Sequence, residues 1–184
     1  MQHKLHKNRS GFTLIELIIY ISITTFVLIS IVTFMWGVMD GENRMNVSNE
    51  LTENGKVVFD KVTEKMRNAE DVVVGSSTFD TNPGVLVLDV GSENLTFDTY
   101  DKDVTVGGVQ LTITKIRMQE GSDPAVDLTS DKVDVTDFTL KRRTRDEEAE
   151  NIKMEISLDF VTGGTDLDSV KSLDLETAIS IREK

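Results

Sequence analysis

The chain has 184 residues, of which 28% are charged, and a formal net charge of −12. An acidic surface repels phosphate backbones, so nucleic acid is not predicted as a partner. The sequence has no cysteine, which excludes disulfides, thiolate nucleophiles and cysteine-based metal sites within it. Both histidines, His3 and His6, lie near the N terminus, so the rest of the chain has no imidazole for acid–base catalysis or zinc binding. We therefore predict that the chain is not an enzyme and has no cofactor.

The first predicted element is a long apolar segment at residues 12–39, in which Glu16 is the only charged residue. As an α-helix it would be about 42 Å long, against roughly 30 Å for the hydrocarbon core of a bilayer. Lys4, Lys7 and Arg9 precede the segment, and acidic residues follow it. By the positive-inside rule, we predict a single pass through the inner (cytoplasmic) membrane with the N terminus in the cytoplasm.

A secretory signal peptide and a plain signal anchor are the alternatives for this segment. A signal peptide has a shorter apolar core with small residues after it, and residues 35–40 offer no such cleavage site. A signal anchor, tethering an extracellular binding domain that never assembles, explains the span but not Gly11, Phe12 or Glu16. A carboxylate at the bilayer centre costs roughly 2.5–3.5 kcal/mol, which makes Glu16 a functional candidate; the alternative is a side chain that reaches the headgroups.

The stretch Arg9-Ser10-Gly11-Phe12-Thr13-Leu14-Ile15-Glu16-Leu17 resembles the N-terminal signal of type IV prepilins and pseudopilins. A basic leader, Gly-Phe at the cleavage site, Glu at the fifth mature position and an apolar run all coincide. The resemblance implies cleavage after Gly11, N-methylation of Phe12, and pairing of Glu16 with Phe12 of a neighbouring subunit. The implied partners are other pilin or pseudopilin subunits, the prepilin peptidase/methylase, the pilus assembly platform and the membrane.

Cleavage after Gly11 would change the charge in two places. The nitrogen of Phe12 is a neutral amide before cleavage and a mostly cationic α-amine afterwards. Loss of the three leader cations would take the net charge from −12 to −15. We hypothesise that processing creates a cationic partner for Glu16 and removes the charges that hold the subunit in the membrane. The i, i+4 spacing equally permits a pair within one chain.

Beyond residue 39 the apolar pattern is that of an amphipathic helix. Apolar residues recur at three-, four- and seven-residue steps, which predicts a stripe that faces a core. The stripe consists of Val47, Leu51, Val58, Val62, Met66 and Ala69. Joined to the apolar segment, it predicts one helix over residues 12–69, about 87 Å long. Gly37, Gly41 and Gly55 are points at which this helix is expected to bend or locally melt.

From residue 72 onward the period changes to two, which predicts β-strands. The predicted strands lie at residues 85–88, 95–97, 109–116, 133–140, 152–160 and 173–181, with Gly- and Pro-containing turns between them. Alternating strands with short connections predict an antiparallel sheet whose covered face packs on the amphipathic helix. This α+β, pilin-like fold divides the chain into a leader (1–11), a transmembrane and assembly helix (12–39), an amphipathic half (40–71) and an extracytoplasmic sheet domain (72–184).

Several departures from major pilins indicate a minor subunit. Major pilins often carry a C-terminal disulfide loop, which this chain lacks, and many have Pro where Thr33 stands. Residues 59–69 and 177–182 resemble the J class of minor pseudopilins and related minor pilins. Glu16 argues against the K class, which characteristically lacks it. Motility or adhesion pili, DNA uptake and type II secretion all use this design, and the sequence leaves the machine open.

Two charged clusters are weak candidates for ligand sites. Asp98, Asp101 and Asp103 lie in a predicted turn, and calcium takes carboxylate ligands. Their order departs from the EF-hand pattern and Lys102 interrupts it, which favours a solvated acidic turn. The basic run at residues 141–145 offers a phosphate-binding patch. Acidic residues follow at once, which favours a mixed-charge hairpin tip.

Overall fold

A computed structural model describes residues 11–145, 149–162 and 172–182. In these ranges one α-helix precedes eight β-strands, which confirms the predicted α+β class. The elements are α1 (Leu14–Asn68), β1 (Asp71–Val72), β2 (Leu86–Asp89), β3 (Asn94–Val106), β4 (Val109–Glu120), β5 (Val126–Asp127), β6 (Val133–Arg145), β7 (Ala149–Phe160) and β8 (Ser172–Arg182). The chain divides into two units, one ending at Asn43 and one beginning at Arg44.

In the first unit, α1 contributes residues 14–43, which are exposed apart from the half-buried Glu16. This part of α1 is long and apolar enough to cross a membrane. Four of its hydroxyl side chains donate hydrogen bonds of 2.7–2.9 Å to the carbonyl four residues earlier, which satisfies these hydroxyls within the helix. The residues concerned are Ser22, Thr24, Ser30 and Thr33.

In the second unit, residues 44–68 of α1 bury one stripe against the strands. All six predicted stripe residues are buried: Val47, Leu51, Val58, Val62, Met66 and, just after the helix, Ala69. They form one hydrophobic cluster with residues of β2, β3, β4, β6, β7 and β8. α1 stays α-helical through Gly37, Gly41 and Gly55, so the predicted local melting at these glycines is wrong.

The strands form two antiparallel sheets where the sequence predicted one. The first has the order β1-β2-β3-β4-β5 and the second the order β6-β7-β8. Where β4 faces β6 and the segment before it, side chains accept backbone N–H groups of β4. The Thr114 N–H donates to the Asp134 carboxylate at 2.7 Å, and the Ile116 N–H donates to the Thr129 hydroxyl at 3.3 Å. Because these amides are already satisfied, the ladder does not continue from one sheet into the other.

β3 is longer than predicted. Residues 98–103, for which the sequence predicts a turn, are part of the strand. β3 and β4 pair in register from Leu95↔Glu120 to Val106↔Val109. Gly107 and Gly108 close this hairpin with φ values of 60° and 84°. Two central residues with positive φ are the requirement of the type I′ hairpin turn, and glycine meets it without steric cost. The true turn is therefore this glycine pair, and the prediction of a turn at the aspartates is wrong.

Candidate processing and assembly site

The bond between Gly11 and Phe12 lies outside the helix. Gly11, Phe12 and Thr13 are exposed and non-helical, and α1 begins at Leu14. No neighbouring atom lies within 4 Å of the position that a Cβ would take on Gly11. The Phe12 ring contacts the Tyr20 ring edge-on, with centroids 5.9 Å apart. A protease requires an accessible, non-helical backbone, and this segment provides one.

Thr13 caps the start of α1. Its hydroxyl accepts the Glu16 N–H at 3.4 Å, and its carbonyl accepts the Leu17 N–H at 3.2 Å. Thr13 and Glu16 therefore hold the N-cap and third helical positions, which is the residue spacing of a capping box. A carboxylate in the first turn is also favoured by the helix dipole. The sequence reasoning missed Thr13, although the pattern Thr-x-x-Glu before an apolar run was available to find it.

The apolar part of α1 presents its side chains on every face. Phe12 is 72% exposed and Trp36 is 71% exposed, and the large apolar residues between them are exposed as well. Soluble monomers rarely expose contiguous apolar patches larger than a few hundred Å². This surface therefore needs lipid or another protein chain to cover it.

The predicted leader cations Lys4, Lys7 and Arg9 lie outside the described residues. The predicted basic run begins on β6 and pairs with β7 as far as Arg145↔Ala149. The Lys141 ammonium donates to the Glu155 carboxylate at 2.7 Å. Part of this run is thus engaged in a cross-strand ion pair, and residues 146–148 lie outside the described residues.

The three calcium candidates are not brought together. The Asp98 carboxylate forms a two-pronged ion pair with Arg117, at 2.7 and 2.8 Å. Side chains alternate between the two faces of a strand, so Asp101 and Asp103 lie on the opposite face of β3 from Asp98. There they accept hydrogen bonds from the hydroxyls of Thr114 and Thr112. Among the described residues, no group of three or more His, Cys, Asp and Glu side chains is arranged to hold a metal ion.

A buried lysine that the sequence reasoning missed ties β4 to the segment that follows it. Lys115 is 2% exposed, and its ammonium donates to Asp127 at 2.7 Å and to Asp131 at 2.6 Å. Hydrogen bonds from Lys115 and Lys102 lower the pKa of Asp131. Burial acts to raise the pKa of Asp127, but hydrogen bonds from Lys115 and Tyr100 outweigh it and the pKa is lowered. Lys115 thus pairs with Asp127 and Asp131 within the fold, so we assign these residues a structural role.

The family model for the prokaryotic N-terminal methylation motif matches residues 6–32. This range contains the Gly11–Phe12 bond, Glu16 and the first part of the exposed apolar helix. The chain therefore carries the type IV pilin-like signature, which indicates a prepilin-processed structural protein. The motif implies processing by prepilin peptidase and assembly with other pilin subunits, and with the apolar helix it fits a membrane-anchored pilin. No curated protein and no solved structure matches the chain.

Proposed function

We propose that the chain is a structural minor subunit of a type IV pilus or a type II secretion pseudopilus. Prepilin peptidase cuts it after Gly11, the same enzyme methylates Phe12, and the mature chain assembles through residues 12–39. Before assembly it passes once through the inner membrane with its N terminus in the cytoplasm. The amphipathic residues 40–71 then join this helix to the extracytoplasmic domain at 72–184.

One observation carries this proposal: the cleavage motif coincides with an exposed, non-helical peptide bond and with an apolar helix whose large side chains are exposed. A plain membrane anchor needs the helix alone. The motif, the accessible Gly11–Phe12 bond and the Glu16 carboxylate in the first helical turn together support a subunit that is cut and then packed against others. The lack of cysteine and the presence of Thr33 in place of a proline support a minor over a major subunit.

Charge explains why cleavage precedes assembly in this proposal. Cleavage gives Phe12 a cationic α-amine next to the helix start, where the dipole disfavours a cation and favours an anion. Glu16, held in the first turn by Thr13, supplies the anion. Pairing between the amine of one subunit and Glu16 of the next neutralises two charges that would otherwise remain in an apolar layer.

Replacing one carboxylate tests the proposal. Glu16→Gln should leave membrane insertion and cleavage intact and should strongly reduce the amount of chain in the filament fraction. Glu42→Gln, which removes one carboxylate from α1 at an exposed position, is the control and should assemble normally. Immunoblotting of membrane and sheared-filament fractions measures both, and normal incorporation of Glu16→Gln would contradict the role of Glu16.

Mass spectrometry of the mature N terminus separates the proposal from the anchored binding domain. A methylated Phe12 as the first residue supports a processed pilin subunit. An intact N terminus at Met1, together with absence from the filament fraction, supports an anchor that never assembles.

A further inference from the structure

The edges of the two sheets differ in how they are covered. A strand at an edge presents unpaired N–H and C=O groups, and proteins usually cover, shorten or charge such edges. In the five-stranded sheet, the edge strands β1 and β5 have only two residues each. Just after β1, the Val73 N–H donates to the Val87 carbonyl at 2.9 Å, so a further backbone group on the edge of β2 is hydrogen-bonded.

The β6 edge of the three-stranded sheet is covered by the loop before β2. The N–H groups of Asp80 and Gly84 donate to the carbonyls of Leu140 and Phe138, at 2.8 and 2.7 Å. The Asn82 amide donates to the Thr136 carbonyl at 3.1 Å. Asn82 also accepts the Phe138 N–H, so one loop satisfies successive groups along this edge.

The opposite edge of the same sheet is β8, and no other described strand pairs with it. β8 pairs with β7 from Ala149↔Arg182 to Asp159↔Ser172. Among the described residues, no backbone hydrogen bond joins β8 to any element other than β7. Within the described residues, 98–106 of β3 also lack a second strand, but Asp98, Lys102 and two further aspartates charge that edge in the way that discourages pairing. In this part of the chain, β8 is an open edge of eleven residues whose inner face contributes to the core.

The two faces of β8 define the chemistry of a strand that could join it. Leu173 and Leu175 lie half-buried on the face that packs against α1, where Leu175 contacts Gly55. A neighbouring strand would have to place apolar side chains beside them. Asp174 and Glu176 are exposed on the other face.

That second face carries a chain of alternating charges that ends at the open edge. Lys141 on β6 pairs with Glu155 on β7 at 2.7 Å. Glu155 pairs with Lys153 at 2.9 Å, and Lys153 pairs with Glu176 on β8 at 2.8 Å. Along this path of ion pairs the order is cation, anion, cation, anion; Glu155 and Lys153 both lie on β7, and the last anion, on β8, is 70% exposed. A cation on the next strand would continue this order.

We propose that β8 is a docking edge that accepts an extended segment of a different subunit, in which apolar and basic side chains alternate. The backbone of that segment would extend the sheet to four strands, and its basic side chains would face Asp174 and Glu176. A second copy of this chain is disfavoured, because its net charge of −12 opposes self-association through an acidic edge. The identity of the partner as another subunit rests on the proposed function, whereas the chemistry of the edge does not.

The first experiment tests the edge without assembly. Hydrogen exchange of the full chain in detergent micelles is measured alone and with a synthetic nine-residue peptide that alternates valine with lysine. The matched control peptide alternates valine with glutamate. The lysine peptide should slow exchange of the outward-facing β8 amides about tenfold, as expected for an added hydrogen bond and ion pair of roughly 1.4 kcal/mol. The glutamate peptide should leave the rates unchanged.

Two results of this experiment would overturn the proposal. Equal or absent effects of the two peptides would remove the selectivity for basic segments. Full protection of β8 before any peptide is added would mean that the chain covers this edge itself. In the variant Glu176→Gln the preference for the lysine peptide should fall, while Asp123→Asn, an exposed loop substitution, should keep it.

The second experiment identifies the occupant in the filament. Because the chain has no cysteine, Ala178→Cys places a unique thiol on the exposed face of β8, where a photoreactive label can be attached. Mass spectrometry should find the label joined to an extended, basic segment of a different subunit, with Ser122→Cys as the exposed control. Crosslinks to a second copy or within the same chain would refute the proposal that a different subunit binds at β8. Failure of the chain to enter filaments would count against the proposed function. The peptide experiment would still test whether β8 binds a basic extended segment.

Discussion

The two parts of α1 form one continuous helix with opposite relations to the rest of the chain. Residues 14–43 expose apolar side chains on every face, whereas residues 44–68 bury one apolar stripe and expose polar side chains elsewhere. The second part finds its partners among the strands of its own chain. The first part has to find them in lipid or in other chains. The residues that pack within the fold and the apolar residues left exposed thus lie in different stretches of the same helix.

The glycines of α1 show the same contrast. A Cβ on Gly37 or Gly41 would meet no atom within 4 Å, whereas one on Gly55 would collide with the Leu175 side chain. Gly55 therefore permits the close approach of α1 to β8 within the second unit. Among the described residues, no close neighbour accounts for Gly37 or Gly41, and both lie in the exposed part of α1.

Truncating a leucine in each part of α1 should give the largest difference. Leu51 is 1% exposed, and Leu51→Ala should lower the free energy of unfolding of the sheet-containing unit by about 2–5 kcal/mol. Leu28 is 56% exposed, and Leu28→Ala should change it by no more than about 0.5 kcal/mol. Urea unfolding in micelles, followed by hydrogen exchange in β7, measures both. Similar losses for the two variants would contradict the division of roles.

Enlarging a glycine in each part should give the next largest difference. Gly55→Leu should destabilise the second unit by about 1–3 kcal/mol, because the new side chain overpacks the contact with Leu175. Gly41→Leu introduces the same side chain where no neighbouring atom is close, and it should leave that unit intact. Thermal unfolding of both variants checks this, and a stable Gly55→Leu chain would show that β8 moves away from α1 at little cost.

A buried amide offers a smaller effect within the second part of α1. The Asn54 side chain accepts the Ser130 N–H at 2.7 Å and donates to the Glu50 carbonyl at 2.7 Å. Asn54→Ala should cost about 1 kcal/mol, because the Ser130 N–H loses its partner but keeps some access to water. The control Asn49→Ala removes an exposed amide and should be close to neutral. Equal unfolding midpoints for the two variants would show that the Asn54 hydrogen bonds do not stabilise the fold.

The parts of the molecule that could be predicted from sequence are those encoded locally. The segment from Gly11 to Glu16 is a contiguous motif, so its residues can be recognised without a fold. The stripe from Val47 to Met66 and the alternation along β7 follow the periods of a helix and a strand, because burial on one face imposes those periods.

The missed features depend on partners that are distant in sequence. Asp101 and Asp103 are poor strand formers, and β3 continues through them where Thr112 and Thr114 on β4 supply cross-strand hydrogen bonds. The split into two sheets depends on Asp134 reaching the Thr114 amide. Neither the burial of Lys115 nor the open edge at β8 is encoded in a local pattern, because each follows from how separate strands meet.

Asp159 is a carboxylate whose neighbours disfavour its ionised form, and its substitution should have a small effect on stability. Burial raises the pKa of Asp159 above its ordinary value, and the carboxylates of Asp134 and Asp174 raise it further. The ionised side chain is therefore less favourable in the folded chain than in the unfolded chain. This penalty is present at neutral pH, shrinks as the pH falls through the folded-state pKa, and is absent below the unfolded value of about 3.9. Asp159→Asn should thus stabilise the unit at pH 7 and lose this advantage below about pH 4.

The substitution Asp131→Asn should have the opposite sign. Hydrogen bonds from Lys115 and Lys102 lower the pKa of Asp131, so its ionised form stabilises the folded chain above the unfolded pKa of about 3.9. That contribution is lost as the pH falls through the lowered folded-state pKa. Asp131→Asn should therefore destabilise the unit at pH 7 and matter less in acid. Unfolding midpoints of both variants between pH 3 and pH 7 test the pair, and a stabilising effect of the same sign for both would show that general acidity of the surface, rather than these local contacts, governs the response.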